Sequence, residues 1–442
     1  MEPIRLVLAL VIAIGCTIAW PRFTKLNPFF SLLAASLLFG VIAGVPWGSL
    51  ISSIQNGFGG LLQQIGILVA FGSVLGSILE KTHAINTISH GMVKLVGPGK
   101  PVLAMSAIGV LVGIPVFCDS GFIILSRLIP SIASQTGASG GSMTLALASG
   151  LITTHVLVPP TPGPLAAATN LGMGSQLGLV MMLGLVVSIP VALVAYVFAK
   201  HRGSLVTPVF SSELNSSHIK NPHTLLCWLP LLTPVLLIAA GSMAPMVHLS
   251  PGLKWLAILG NPMIALVIVV ILSLLLVEPS KNPDWTTWVT EALKDAGVII
   301  LITGAGGSFG MVIRNSDLAT LLTQQANATP VHGLVFLMMA WLLAALLKTA
   351  QGSSTTSMIM VSAVLAPLAS SAGITSGAHM ALLVTAIAGG SLVVSHANDS
   401  YFWVVSQFGR ISTKQTLGYY TPMTLIQGVV ALIMTLLLFM LV

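Results

Sequence analysis

Apolar runs of about twenty residues recur along the chain, and they limit what it can fold into. They lie near residues 4–21, 28–46, 60–80, 176–199, 224–244, 256–277, 294–313 and 421–441. A helix needs about 20 such residues to cross a bilayer. Only 6% of the 442 residues are charged, against about 25% in soluble domains. We therefore predict an all-α, polytopic membrane protein.

Two further apolar regions have a polar centre between two apolar arms. Residues 101–134 surround the sequence CDSG at 118–121, and residues 332–370 surround QGSS at 351–354. A polar segment at membrane depth is tolerated only where protein or water surrounds it. We therefore predict a re-entrant hairpin at each region, entering and leaving on the same side of the membrane.

Two predicted spans are interrupted near their middle. The run PPTPGP at 159–164 divides residues 141–172, because a helix cannot continue through several prolines. The polar sequence HANDS at 396–400 divides residues 376–408. Both regions are predicted to be broken transmembrane helices.

The hairpin and the broken helix occur in the same order in each half. We predict N-terminal helices in 1–56, a first repeat in 57–200, connecting helices in 201–289 and a second repeat in 290–442. With an external N-terminus, the first hairpin opens from the inside and the second from the outside. Such inverted repeats are typical of secondary transporters, which bind substrate where the repeats meet.

The positions of the basic residues support this sidedness. Those predicted inside are Arg22, Lys25, Lys81, Lys94, Lys100, Lys200, Arg202, Lys220, Lys281, Arg410 and Lys414. Near span ends, only Arg5, Lys254 and Arg314 are predicted outside. Cytoplasmic loops carry an excess of Lys and Arg. Two full spans in place of either hairpin would leave the sidedness unchanged, so the charges do not test re-entrance.

The polar residues at the breaks are candidates for a substrate site. A charge at the bilayer centre costs about 2.5–3.5 kcal/mol on insertion scales, so these groups should line a wet cavity. A helix is predicted to start after each break, at Ser120-Gly121, Thr161-Pro162, Ser353-Ser354 and Asn398-Asp399-Ser400. Such helix N-termini would attract carboxylates, and hydroxyl and amide side chains would bind the hydroxyls of a polyhydroxylated anion. The alternative is that these side chains only cap helices. The candidates are Ser120, Gly121, Thr161, Gly163, Gln351, Gly352, Ser353, Ser354, Thr355, Asn398 and Ser400.

Asp119 and Asp399 are the candidate proton carriers. A carboxyl group in a poorly solvated cavity can hold a proton near neutral pH. The alternative is that each aspartate stays ionised and caps a helix or pairs with a cation. The possible charge partners are Arg127, His155, Lys348 and His396.

Other functional classes fit the sequence less well. The net charge of +7 fits basic cytoplasmic loops better than nucleic-acid binding, and the three scattered cysteines indicate no metal site. The glycine-rich stretch at 302–310 lies in a predicted span, where close helix packing explains it better than a dinucleotide-binding turn. The aspartates also lack the context of an intramembrane protease. We expect no enzyme activity, cofactor or metal.

At these motifs the chain resembles the gluconate permease (GntP) family of proton-coupled carboxylate symporters. The resemblance covers nearly the whole length. Its motifs are LNPFFSLLAASLLFGVIAG, GFGGLLQQIGILVAFGSVLGSILEKTHA, GIPVFCDSGFIIL, THVLVPPTPGPLAAA, GNPMIALVI, GAGGSFGMVI, KTAQGSSTTSMIM, SHANDSYFWVVSQF and GYYTPMTL. Two positions depart from the common pattern. Many members have glutamate where Asp119 stands and histidine where Thr161 stands.

The resemblance implies a homodimeric importer in the bacterial inner membrane. It implies proton symport of gluconate or a related sugar or hydroxy acid, and the SHANDS sequence is closer to gluconate-type members than to the D-serine type. A sodium-coupled carboxylate or D-serine transporter of the same architecture is the alternative. A passive anion channel or a membrane-embedded enzyme is the alternative from another class.

Overall fold

The computed structural model describes residues 2–24, 27–84, 87–88, 91, 95–97, 99–208, 224–243, 258–277, 284–318, 333–396 and 399–442. The regular elements in these ranges are helices, which confirms the all-α prediction. The main ones are α1 (Glu2–Thr24), α2 (Pro28–Ala43), α3 (Trp47–Lys81), α4 (Pro101–Val112), α5 (Cys118–Leu125), α6 (Ile129–Thr136), α7 (Gly140–Leu157), α8 (Pro162–Asn170), α9 (Leu177–Arg202), α10 (Thr224–Met243), α11 (Pro262–Leu274), α12 (Trp285–Arg314), α13 (Leu334–Gln351), α14 (Ser354–Leu365), α15 (Gly377–Gly390), α16 (Ser400–Phe408) and α17 (Thr421–Leu441).

Several helical segments are long and apolar enough to cross a bilayer. Among the described residues they are Gly140–Asn170, Gly174–Leu205, Trp285–Arg314 and Thr413–Leu441. The helix pair Trp47–Gln63 and Gly66–Lys81, with an angle of 44° between its parts, makes a fifth if the two parts are counted as one span. Shorter apolar helices pack around them. The chain is therefore a polytopic membrane protein.

The helices stop at all four predicted interruptions. Non-helical residues at 113–117, 158–161 and 352–353 separate α4 from α5, α7 from α8 and α13 from α14. Between α15 and α16, the described residues 391–396 and 399 are also non-helical. One predicted helix start is wrong. We expected Ser120 and Gly121 to begin a helix, but α5 begins at Cys118, because the Gly121 amide already bonds the Phe117 carbonyl at 2.9 Å.

The second hairpin, α13 and α14, begins and ends at the same place. The Gly333 amide, just before α13, donates to the Ala372 carbonyl beyond α14 at 3.0 Å. At the opposite end, Gly352 takes the left-handed conformation with φ 87°, and the Ser353 hydroxyl accepts from the Thr356 amide at 3.2 Å. This tip therefore reverses the chain and starts a new helix, as a re-entrant hairpin requires.

The same packing relations occur in both halves. In the first half α7 packs against α4 and α9, and in the second half α15 packs against α13 and α17. The halves also contact each other reciprocally, because α5 packs against α16 and α8 packs against α14. Each hairpin therefore contacts the broken helix of the other half. This pattern fits two structural repeats, while their inverted relation and the predicted boundaries stay predictions.

The glycine-rich stretch at 302–310 lies inside α12 and serves helix packing. A Cβ atom added at Gly307 would lie 2.5 Å from the Gly57 carbonyl oxygen on α3. One added at Gly306 would lie 2.1 Å from the Ile359 side chain on α14. Small residues allow backbones to approach closely inside a membrane. α12 thus joins the second hairpin to α3.

Candidate functional site

The contact between α5 and α16 brings the two candidate proton carriers together. The rings of Phe122 and Tyr401 meet edge to face, with centroids 6.1 Å apart. Asp119 lies three residues before Phe122, and Asp399 lies two residues before Tyr401. The two carboxylates interact electrostatically, and Asp119 also interacts with Lys348. Two aspartates from different halves therefore share one site.

Asp399 forms a buried ion pair with Lys348. The Nζ atom of Lys348 lies 2.5 Å from Asp399 Oδ2 and donates to the Gly352 carbonyl at 2.6 Å. The two residues are 1% and 7% exposed. The Ser395 hydroxyl and the Tyr401 amide also donate to Asp399, at 2.5 and 3.0 Å. Asp399 is thus both the counter-ion of Lys348 and the N-cap of α16.

Asp119 has no comparable set of partners among the residues that the structure describes. Its Oδ1 atom is buried and has no hydrogen-bond partner among the described residues. Buried carboxylate oxygens are normally hydrogen-bonded. Asp119 stands in the first turn of α5, where the helix dipole favours a negative charge. Of the two aspartates, Asp119 is the one open to a proton or a ligand.

The two candidate histidines differ in their surroundings. His155, near the end of α7, contacts the Phe117 ring with centroids 6.0 Å apart, and its Nδ1 atom is buried without a partner in the described structure. His396 Nε2 bonds the Thr349 carbonyl at 2.9 Å. His396 therefore joins the second break to the second hairpin, whereas His155 keeps a free ring nitrogen. No three His, Cys, Asp or Glu side chains of the described residues gather to hold a metal ion.

The contact between α8 and α14 holds other predicted substrate residues. A Cβ atom at Gly163 would lie 2.9 Å from Met358 Sδ and 3.5 Å from the Thr355 Cα atom. The start of α8 therefore packs directly against the start of α14, and a larger residue at position 163 would displace the Met358 side chain. Farther along, the Asn170 side chain donates to the Ile359 carbonyl at 3.2 Å and to the Ser362 hydroxyl at 3.0 Å. This contact therefore has a close approach at one end and hydrogen bonds at the other.

Hydroxyl groups at the breaks already bond to backbone. Thr161 donates to the Val158 carbonyl at 2.7 Å, and Ser354 donates to the Ser391 carbonyl at 2.7 Å. Gly352 is buried and Ser400 is exposed. Hydroxyls rotate freely and can exchange such bonds for a ligand. Their positions allow either of the two roles considered above, capping or substrate binding.

A small cavity lies between the first hairpin tip, the first break and α3. Its lining residues are Val69, Gly72, Pro115, Phe117, Pro160, Thr161 and Pro162. The cavity measures about 10 Å³, which is room for about one water molecule. A sugar acid is many times larger, so binding here requires the tip and the break to move apart.

Four predicted site groups lie outside the described structure. They are the whole of Asn398 and the side chains of Ser120, Arg127 and Gln351. Three other residues were missed by the sequence analysis. Ser395 and Tyr401 hold Asp399, and Gln427 on α17 bonds the Thr153 hydroxyl at 2.6 Å. The signal for Gln427 was present, because an amide within an apolar span needs a partner.

Known proteins are similar to the chain over nearly its whole length. The GntP family permeases match residues 5–442. A gluconate permease of Pseudomonas aeruginosa is 30% identical, covering 97% of this chain and 96% of its own. The inner membrane permease YgbN of Escherichia coli is 32% identical, covering 93% of both chains.

Among solved structures, the YdaH transporter of Alcanivorax borkumensis has a similar fold. The TM-score is 0.65, with 16% sequence identity, and the similarity covers 88% of this chain and 87% of that one. At this identity the similarity concerns the fold alone. It agrees with an all-helical membrane architecture.

Proposed function

The chain belongs to the GntP permease family, so it is an integral membrane transporter and not an enzyme. We propose that it imports gluconate or a related sugar acid together with a proton. The observation that carries this proposal is the position of Asp119. Its carboxylate has an oxygen without a partner among the described residues, and it interacts electrostatically with both members of the buried Lys348–Asp399 pair. The ammonium of Lys348 can bind an anionic substrate, and the carboxylate of Asp119 can bind a proton.

The proposed substrate class rests on the chemistry of the breaks and on the relatives. Helix N-termini at the breaks offer free N–H groups to a carboxylate. Hydroxyls at Thr161, Ser353 and Ser354 suit the hydroxyl groups of a sugar acid. The Pseudomonas relative is called a gluconate permease, whereas YgbN, at similar identity, carries no substrate in its name. Gluconate is therefore the first substrate to test within a panel.

The proton is proposed to reside on the Asp119–Asp399 pair. Two carboxylates beside one ammonium carry one excess negative charge, and like charges at close range favour a shared proton. Asp119 is the better carrier, because Asp399 already has Lys348, Ser395 and the Tyr401 amide as partners. Entry of an organic anion would increase the excess charge and favour the proton further.

Reconstituted vesicles test the proposal. Labelled gluconate, other sugar acids, 3-hydroxybutyrate and D-serine are offered under an inward proton gradient, an inward sodium gradient or no gradient. We expect concentrative uptake of gluconate or another sugar acid under the proton gradient alone. Uptake that follows sodium would overturn proton coupling. A flux that equilibrates without concentrating would indicate a passive channel.

Location and assembly are part of the same proposal. YgbN is called an inner membrane permease, and we propose the bacterial inner membrane for this chain as well. Fractionation of inner and outer membranes tests this, and recovery in the outer membrane would overturn it. The homodimer stays a prediction, which crosslinking in native membranes tests.

A further inference from the structure

We propose that Lys348 binds the substrate carboxylate, and that Asp399 occupies that position while the site is empty. The inference rests on the proposed function and deepens it. It assigns one side chain to the charged end of the substrate. It also explains why substrate and proton would bind together.

Lys348 is placed to receive an anion. Its ammonium lies at the tip of the second hairpin, beside the Gly352 carbonyl and close to the Ser353 cap of α14. The ammonium has three N–H donors, and the described structure uses two of them, on Gly352 and Asp399. The free N–H groups of the first turn of α14 add partial positive charge at the same tip. A substrate carboxylate that took the place of Asp399 would contact the Lys348 ammonium and lie near the N-terminus of α14.

Asp399 can leave Lys348 without losing all its partners. Its other bonds come from the Ser395 hydroxyl and the Tyr401 amide, four residues before it and two residues after it in the chain. The bond to Lys348 instead links α13 to the N-cap of α16, which belong to different elements. The cavity beside the first hairpin tip is too small for a sugar acid, so that tip and the first break must separate before one could bind there. An analogous separation at the second tip would break the Lys348–Asp399 bond and keep the others.

Charge balance then links substrate to proton. One ammonium and two carboxylates give the empty cluster a net charge of about −1, and a bound carboxylate makes it about −2, which is costly where water is scarce. One proton restores the original charge. Among the described residues, Asp399 pairs with Lys348 on α13 and interacts electrostatically with Asp119 and Cys118 on α5, His155 on α7, Tyr401 on α16, and Tyr420. Asp119 and Asp399 are the proposed proton acceptors. His155 is a third group that could take up the proton, so the experiment must distinguish it from the two carboxylates.

The experiment measures gluconate binding to the purified protein by titration calorimetry, in buffers of different ionisation enthalpy and at several pH values. The wild type should take up about one proton per gluconate, and its affinity should fall about tenfold per pH unit as pH rises, because binding is linked to one proton. His155→Gln should behave like the wild type. Loss of proton uptake in His155→Gln would overturn the assignment to the carboxylates.

Two single variants and a control test the exchange of partners. Lys348→Met should weaken binding at least about 30-fold, as expected when a buried charge loses its partner. Asp399→Asn should bind without proton uptake and more tightly than the wild type at high pH, because the competitor of the substrate is gone. Lys200→Met, at an exposed lysine near the end of α9, should match the wild type.

A double variant guards against misfolding. Replacing both members of a buried pair is often tolerated where replacing one is not, so Lys348→Met/Asp399→Asn should purify as a stable protein that does not bind gluconate. The inference is overturned if Lys348→Met or the double variant binds normally, or if Asp399→Asn binds weakly or still takes up a proton. The proposed function fails separately, if the wild type accumulates no acid of the panel.

Discussion

The Nζ atom of Lys348 lies 2.5 Å from the Oδ2 atom of Asp399, and this contact joins the tip of the second hairpin to the second broken helix. The pair is almost completely buried. A buried ion pair is weak support for stability, because desolvation offsets the attraction between the charges. Because the pair interacts with Asp119 of the other half, we propose that it acts in transport instead.

Replacing Asp119 by Asn should remove coupling and leave the fold intact. Asn has the same shape, and Asp119 Oδ1 makes no hydrogen bond in the described structure that the change would break. Without the second carboxylate, the cluster has no excess negative charge to hold a proton. Vesicles with Asp119→Asn should exchange gluconate across the membrane but should not concentrate it under a proton gradient. Normal accumulation would show that Asp119 is not the carrier.

Gly307→Ala should destabilise the protein, whereas Gly297→Ala in the same helix should not. The new Cβ at position 307 would lie 2.5 Å from a backbone carbonyl, but the one at 297 would have no atom within 4 Å. Overpacking costs about 1–3 kcal/mol, and alanine favours an open helix position by about 1 kcal/mol over glycine. Thermal stability in detergent measures both. Equal melting temperatures would contradict the close packing of α3 and α12.

Asn170→Ala should alter transport, and Asn315→Ala should not. The Asn170 side chain joins α8 to α14 between the halves, whereas Asn315 Nδ2 bonds the Ser53 hydroxyl at 3.0 Å within the scaffold of α3 and α12. Each variant should lose about 0.5–1.5 kcal/mol per hydrogen bond. Of the two variants, only Asn170→Ala should change the KM for gluconate, because the Asn170 bonds join a hairpin to a broken helix and the Asn315 bond does not. If both variants changed the KM equally, the change would come from lost stability, and the predicted role of Asn170 in transport would be wrong.

Asp284 gives a pH-dependent contribution outside the spans. It caps α12, and hydrogen bonds from the Thr287 hydroxyl and amide lower the pKa of Asp284 below its ordinary value. A lowered pKa in the folded state means stability that is present above the ordinary pKa and lost as pH falls through the lowered one. The stability difference between wild type and Asp284→Asn, measured in thermal melts, should therefore shrink in acid. A difference that grows in acid would contradict the cap.

The helices and their breaks could be predicted from the sequence, because local chemistry decides them. The prolines within residues 159–164 stop one helix because of their ring geometry. At 352–353, a glycine that takes the left-handed conformation ends α13 and a serine caps α14. The start of α5 was misplaced by two residues, because Cys118 and Asp119 begin the helix without a strong sequence signal. The contacts between α5 and α16 and between α8 and α14 depend on the tertiary fold.

The partners in the site could be predicted only as alternatives. Each aspartate had Arg127 and Lys348 as possible counter-ions, and nothing local chooses between them. Lys348 and Asp399 lie 51 positions apart, so only the packing of the second hairpin against the second break decides the pair. The role of each residue in binding or coupling stays a prediction.

The most direct test of proton-coupled entry measures proton movement itself. Vesicles containing the reconstituted protein and a pH-sensitive dye receive gluconate outside, with no initial pH gradient, no sodium and the membrane potential clamped. The wild type should acidify the lumen as labelled gluconate enters, and Asp119→Asn should not. Gluconate entry by the wild type without acidification, or only after sodium is added, would contradict the account.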